Sequence, residues 1–499
     1  MQDNANARAL TRRGFVQVMG VTCLGAAIGQ MGGCAPASES KGGGAEKDDV
    51  SVDVLVVGGG GSGLAAATTA AEAGKTVAVI EQLNSTGGTF ALSGCETVSL
   101  DDGTGEYMDA RALFDYWMEE TKNNADEELM ANVTGSINDT LAWVEGLGVK
   151  MHTLTNYSRP DASAPILFKS PSETAELASG GVVTNALAEK FEQLGGTIYL
   201  KTAAKSLIVD DSGAVAGVVA ESNGKARRFM AKKTILAAGS FESGIGGEGN
   251  PVINGHFPNL LGQNIVYSAQ GYTGATGHAI TMGKDIGAEI HFEIPYVRGR
   301  FVYQASGGTL REDGVLVNGD GRRFGNEAGL YRGMYETAVE KGGAEKMFSI
   351  MGQQNCLDDM EQYAGNENML QAETTTELAA LMGADTATFV DTIEKYNAYS
   401  ATGVDEDYQK PAEHLVSIDG DPLYAEKVSL LVGGCIGGLV VDGRARVISE
   451  EGQPIPNLYA AGDTANSSFH RGTYLGSGSN TCFALNSGRL AAREAVRDL

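Results

Sequence analysis

The chain has 499 residues, 42% of them hydrophobic, enough to bury one large core or the cores of two or three domains, which excludes a disordered chain. Its formal charge of −26 argues against nucleic acid, which needs a clustered basic surface, and leaves acidic substrates poorly steered except by a local basic pocket. Glycine, at 69 residues, is about twice its usual share without a collagen-like period, which points to tight turns and to close approach of backbone to ligand.

The N-terminal stretch "LTRRGFVQVMGVTCLGAAIGQMGGCAPAS" sets Arg12 and Arg13 before Phe15, then a weakly apolar run rich in Gly and Ala, then small residues suited to cleavage. It resembles a twin-arginine signal, the route for proteins exported already folded around a cofactor. "MGGC", ending at Cys34, is similar to a lipoprotein cleavage box. Residues 1–37 are therefore expected to be a signal segment and 38–50 a polar, Gly-rich linker. The expected location is the periplasm or the outer face of the cytoplasmic membrane, with lipid attachment at Cys34 left as an open alternative. No later run reaches the roughly 18 apolar residues of a membrane span. Cys95, Cys356, Cys435 and Cys482 follow the two signal cysteines without any C-x-x-C spacing, so they read as core thiols and no metal site is predicted. The same spacing lends no support to a four-thiolate iron–sulfur site.

From Val52, "VDVLVVGGGGSGLAAATTAAEAGKTVAVIE" reads as an apolar strand, a glycine turn, a helix of small residues and a second apolar strand ending in Glu81. Gly58, Gly60 and Gly63 form G-x-G-x-x-G there, with Ser62 in the same turn. The three glycines suit a tight turn, a bare backbone where a pyrophosphate approaches, and close helix-to-strand packing. The helix start offers its N–H groups to phosphates, and Glu81 is placed to bind both ribose hydroxyls. Gly87, Gly88, Thr89 and Gly94, in "GGTFALSGC", extend the expected cofactor loop. "KKTILAAGSF", with Gly239, reads as a strand returning to the same domain. Far downstream, "IPNLYAAGDTA" empties into Gly462 and Asp463 and resembles the second FAD fingerprint of two-dinucleotide-binding-type flavoproteins, where the Asp meets the ribityl chain. An NAD domain needs no such distal return, so FAD is the expected cofactor. No second glycine unit with a following acid appears, so no NAD(P)H site is predicted and electrons pass to or from another donor.

Four stretches then carry a family resemblance over nearly everything after residue 50: "GGTFALSGC", "TGATGHAITMGKDIGA", "GRRFGNE" and "ELAALMGADTATFVDTIEKYNAYSATGVDEDY". The last reads as a helix pair, opened by a Thr374/Glu377 capping box and broken at Gly383-Ala384-Asp385. They are similar to flavoproteins of the fumarate reductase and succinate dehydrogenase superfamily. That resemblance implies an α/β fold: a Rossmann-like FAD-binding domain (51–245 and 422–499) interrupted by an α+β capping domain (246–421) that closes over the flavin. No His stands in "NSTGGTF", where membrane-bound relatives link FAD covalently, so FAD is expected to be non-covalent.

The chain departs from the superfamily's name-giving members at their substrate clamps. Soluble fumarate reductases carry a His where this chain has Gly434, in "GGCIGG", and an Arg where it has Tyr474, in "GTYLGSGSN". Their catalytic Arg falls four residues after the Glu of "R-F-x-N-E"; here that position is Tyr331, with Arg332 one beyond. These differences resemble the 3-ketosteroid dehydrogenase branch, whose motif "Y-P-G-x-G" is matched by "YLGSG" with Leu475 in place of Pro. The resemblance implies that Tyr331 exchanges a proton beside a ketone, and that Tyr474 and the Gly478 N–H bind its oxygen. Tyr157, in "LTNYSRPDA", is the candidate third tyrosine. His278 reads as a histidine satisfied at a helix start, with a catalytic role as the alternative, while His470 and Arg471 precede Tyr474 and are candidates to line the flavin.

The expected activity is reduction or desaturation of a C=C conjugated to a carbonyl in a small steroid-like or polyphenolic enone or lactone. The expected electron partner is a quinol dehydrogenase or a cytochrome. One alternative is a reductase of unsaturated carboxylates, of the fumarate or urocanate type, with Arg332 as proton donor. Another is a flavin electron-transfer protein without a small substrate.

Overall fold

The computed structural model describes residues 49–100, 103–154, 166–174, 178–243, 250–258, 265–267, 273–292, 300–304, 311–328, 345–355 and 365–499. The expected signal with Arg12, Arg13 and Cys34, nearly all of the linker, and Tyr157, Tyr331, Arg332 and Cys356 lie outside these residues.

Apolar runs buried on both faces build the first sheet. Its central strand, Val50–Val57, pairs in parallel with Val77–Ile80 (Val54 beside Val77) and with Lys225–Leu236 (Val54 beside Lys233). Val54 to Val57 are at most 4% exposed, as a parallel sheet covered on both sides requires. Eight strands form this sheet, in the order Arg446–Ile448, Pro454–Ala460, Lys225–Leu236, Val50–Val57, Val77–Ile80, Thr197–Tyr199, with the hairpin Thr202–Val209 and Val215–Ser222 attached to Lys225–Leu236. Pro454–Ala460 joins in parallel more than 200 residues after its partner, with Leu458 beside Thr234.

The helix Gly61–Glu72 follows the glycine turn and is buried nearly all round, so small side chains are what it needs. Ala66, Ala67 and Ala70 pack on Val54, Val56 and Val79, and on Ala491, Ala492 and Ala495 of the last helix, Ser479–Arg497. A Cβ on Gly488 of that last helix would stand 2.3 Å from the Ser62 carbonyl oxygen, so the two helices meet backbone to backbone. No helix among the described residues is long and apolar enough to cross a membrane.

A second sheet of six strands is built around Leu423–Val432, which pairs with Ile265–Tyr267, Arg300–Tyr303, Met347–Met351 and Met369–Ala372; Val315–Asn318 extends it beyond Met347–Met351. Two helices, Thr375–Met382 and Thr386–Thr402, close one face, where Leu378, Met382, Phe389 and Ile393 meet Val315, Val317, Phe348 and Ile350. The capping box is present: Thr374 Oγ1 accepts the Glu377 N–H and Glu377 Oε2 accepts the Thr374 N–H, both at 3.2 Å. Gly383, at φ +65°, ends the first helix and Asp385 caps the second. The central strand Leu423–Val432 begins after residue 421, and the turn that leaves it, through Gly433, reaches the cleft described next.

Candidate active site

A cleft opens where the parallel strands end, lined at its floor by Val57, Ile80 and Ala237. That is where ligands of open α/β sheets bind, because the strand-to-helix turns leave backbone groups unpaired there. The glycine turn divides its labour by position. Gly58 sits at φ +108° and a Cβ on it would stand 2.3 Å from the Ala237 carbonyl oxygen. Gly63 packs on the Gly58 carbonyl, which a Cβ would approach to 1.9 Å. Gly60 differs, because a Cβ on it would meet nothing closer than 3.9 Å and its face opens on the cleft. The helix that starts there has no side-chain cap, so its first N–H groups remain for a ligand.

Glu81 is 8% exposed and pinned, with Oε2 accepting the Gly59 N–H at 2.7 Å and Oε1 the Leu83 N–H at 2.8 Å. Each oxygen keeps a further lone pair for a hydroxyl in the cleft. Around this end stand Gln82, whose amide donates to the Gly274 carbonyl at 2.8 Å, and the pair Thr276 Oγ1 and His278 Nδ1 at 2.6 Å. Asp463 lies on the same cleft wall as Ser62. Burial lifts its carboxyl from the ordinary 3.8 to about 6, and the Asn466 amide, 3.3 Å away, pulls the other way. An acid held with so little compensation is suited to accept a hydroxyl from a bound ligand.

Gly88, Thr89, Gly239, Tyr474 and Gly478 also line the cleft. Gly63, Gly87, Gly94 and Gly462 support it from behind. Gly87 donates its N–H to the Gly59 carbonyl at 2.8 Å, and Gly94 accepts the Ser170 and Ser179 hydroxyls. Gly462, at φ +61°, donates its N–H to Ser487 Oγ at 3.0 Å, and a Cβ on it would stand 2.4 Å from Ser62 Oγ. His278 stands on the cleft wall with Glu81, whereas His470 is fully buried with its ring 5.6 Å from that of Tyr474. Gly433 reaches the cleft and Gly434 beside it is buried. Cys95, Cys435 and Cys482 are buried thiols; burial pushes Cys482 up to about 12 and raises the other two as well, so none offers a thiolate.

Sequence reading missed Glu96, Asn480 and Thr481, which line the Tyr474 end. Only their spacing, in "GCET" and "GSNT", marked them, and neither carries a recognisable motif. Among the described residues lining the cleft, Glu81, Glu96 and Asp463 are acids and none is Arg or Lys.

A family model described as an FAD binding domain matches residues 53–480. The chain is 24% identical over 460 residues to "Fumarate reductase (cytochrome)" of Shewanella frigidimarina, covering 90% of this chain and 77% of that protein. It is 28% identical over 443 residues to "Urocanate reductase" of Eggerthella lenta, covering 83% and 70%. Among solved structures, the 3-ketosteroid-Δ4-(5α)-dehydrogenase of Rhodococcus jostii in complex with 4-androstene-3,17-dione superposes with a TM-score of 0.67 at 25% identity, over 91% of this chain and 98% of that one. An open glycine approach, an uncapped helix start, and Glu81 and Asp463 lining one cleft fit a dinucleotide of this kind. The chain belongs to the FAD-binding-domain family and is an FAD-dependent oxidoreductase of the fumarate reductase superfamily.

Proposed function

We propose that the protein reduces, or in reverse forms, a C=C bond conjugated to a carbonyl in a small uncharged enone or unsaturated lactone, steroid-like or polyphenolic. The observation that carries this reading is at the substrate clamps: Tyr474, which lines the cleft, and Gly434 stand where soluble fumarate reductases carry Arg and His. Those two positions offer a dicarboxylate no cation, while a neutral carbonyl needs only hydrogen-bond donors.

Bound FAD, held by the glycine turn, Glu81 and Asp463, supplies the hydride or takes it. As hydride reaches the conjugated carbon, negative charge gathers on the carbonyl oxygen, and Tyr474 and the Gly478 N–H are the donors that meet it. Gly478 sits at φ +78° at the start of the last helix, a conformation that suits glycine. Tyr331 delivers the proton to the neighbouring carbon, with Arg332 beside it to favour the tyrosinate left behind. Export by the twin-arginine route and an external electron donor, a quinol dehydrogenase or a cytochrome, complete the reading.

A second reading, reduction of an unsaturated carboxylate with Arg332 as donor, is favoured by the names of the fumarate and urocanate reductases among the relatives. Dithionite-reduced protein, mixed without oxygen with 4-androstene-3,17-dione, coumarin, fumarate or urocanate, separates the two through the rate of flavin reoxidation. Reoxidation by a neutral compound, lost in Tyr331→Phe with FAD still bound, is the expected result. Reoxidation by fumarate or urocanate alone replaces this reading with the second.

A further inference from the structure

Three neighbouring strands end abreast at the cleft: Val57 of the central strand lies beside Ile80 on one side and beside Leu236 on the other. The chain beyond Ile80 continues as Glu81 and Gln82, and the chain beyond Leu236 carries Ser240 and Ser243. Segment 274–278 is fastened to the second of these. The Gly277 N–H donates to the Ser240 carbonyl at 3.0 Å, the Ser243 N–H to the Ala275 carbonyl at 2.8 Å, and the Ala275 N–H to Ser243 Oγ at 3.0 Å. Gly277 takes φ +73°, a conformation that suits glycine. From the opposite side a single side chain crosses to this segment: Gln82 Nε2 donates to the Gly274 carbonyl at 2.8 Å, between residues 192 positions apart. The bond closes the gap between the two outer strand ends, which is two strand spacings or about 10 Å, in front of the Val57 end where the glycine turn begins. Gly274 is buried, Gln82 is half-buried, and both line the same cleft as Gly58, Gly60 and Glu81.

We propose that Gln82 is a latch: its bond to Gly274 straps the cleft across bound FAD, and the cofactor passes in or out only while that bond is open. The bond joins two groups of the protein itself, so it is made both before and after FAD binds and is broken in between. It therefore raises the barrier to entry and to exit alike and leaves the affinity unchanged. Glu81, one residue earlier, acts differently, because its carboxylate is pinned by the Gly59 and Leu83 N–H groups and turns its remaining lone pairs to the ligand. The inference rests on FAD binding in this cleft and not on the identity of the substrate.

The test follows exchange of FAD and needs no substrate. Holoprotein is mixed with an excess of isotopically labelled FAD and the uptake of label is timed, while equilibrium dialysis gives the Kd. Gln82→Ala is expected to exchange FAD about three- to tenfold faster than wild type, the factor that one hydrogen bond supplies to a barrier, with Kd within about twofold. Gln82→Met keeps the length of the side chain without a donor and should match Gln82→Ala, because the bond and not the bulk holds the strap. Faster exchange carried by an equal loss of affinity makes Gln82 a ligand of the cofactor and overturns the proposal. Wild-type exchange in Gln82→Met, or in both variants, overturns it as well.

Discussion

Two glycines two positions apart in one turn have opposite reasons for being glycine. Gly58 is held at φ +108° with a backbone carbonyl 2.3 Å from where a Cβ would stand, and that carbonyl belongs to the strand end at Ala237 and cannot retreat. Gly60 adopts φ −80° and ψ −173°, open to any residue, and a Cβ there faces empty cleft. Gly58→Ala is therefore expected to destabilise the apoprotein by at least ~1–3 kcal/mol of backbone strain, with FAD binding lost as the turn moves. Gly60→Ala is expected to leave apoprotein stability within ~0.5 kcal/mol while weakening FAD about tenfold or more, since its methyl occupies the approach of the pyrophosphate. Thermal melts of the apoproteins and flavin fluorescence titrations read the two effects separately. Equal loss of melting temperature in both variants would show that Gly60 also serves the fold and that the cleft is not where it faces.

In the second sheet, the "GRRFGNE" segment spends its charges on structure. Arg323 Nε and an Nη group grip both Glu327 oxygens at 3.0 and 2.8 Å, and the same Nη group meets Asp405 at 2.8 Å. Lys410 adds an ammonium 3.3 Å from Glu327 and 3.0 Å from the Tyr396 hydroxyl, and the Glu327 side chain is fully buried. Tyr396 and Tyr408 each lie 5.1 Å from the guanidinium, one ring centroid apiece. Burial pushes the Lys410 ammonium down and Glu327 holds it up, so removing the Glu327 charge strands two cations against one acid. Glu327→Gln is expected to cost ~3 kcal/mol, read as a lower urea midpoint with unchanged slope. An unmoved midpoint would mean that the network contributes nothing beyond its shape. Sequence alone showed the strand, glycine turn, helix and acid of the FAD unit because every contact that defines them is local and periodic. It did not show this network, because Arg323 and Asp405 stand 82 positions apart. Nor did it show that Leu423–Val432 holds the second sheet together, since its partners begin as far back as Ile265 and a single apolar run does not say what it pairs with. The Tyr474 end of the cleft was half legible: Tyr474 and Gly478 stood in a motif, whereas Glu96 comes to the same cleft only by folding.

At the scale of the molecule, the charge of −26 and the acids of the cleft act on whatever brings electrons. On the proposed reading electrons come from a separate donor, which approaches a chain of formal charge −26. A cationic donor is drawn in and an anionic one is held off, over a distance set by the ionic strength, about 10 Å at 0.1 M salt. Small mediators isolate this term from any specific docking. Stopped-flow reduction of the bound flavin by reduced methyl viologen, a cation, should slow several-fold as salt rises from roughly 10 mM to 500 mM, because screening removes the attraction. An anionic donor such as dithionite should speed up over the same range, because screening removes the repulsion. Opposite slopes assign the physiological donor a basic docking face. Parallel or flat slopes would mean that the negative charge is concentrated away from the flavin entrance, and that the donor is selected by shape and not by charge.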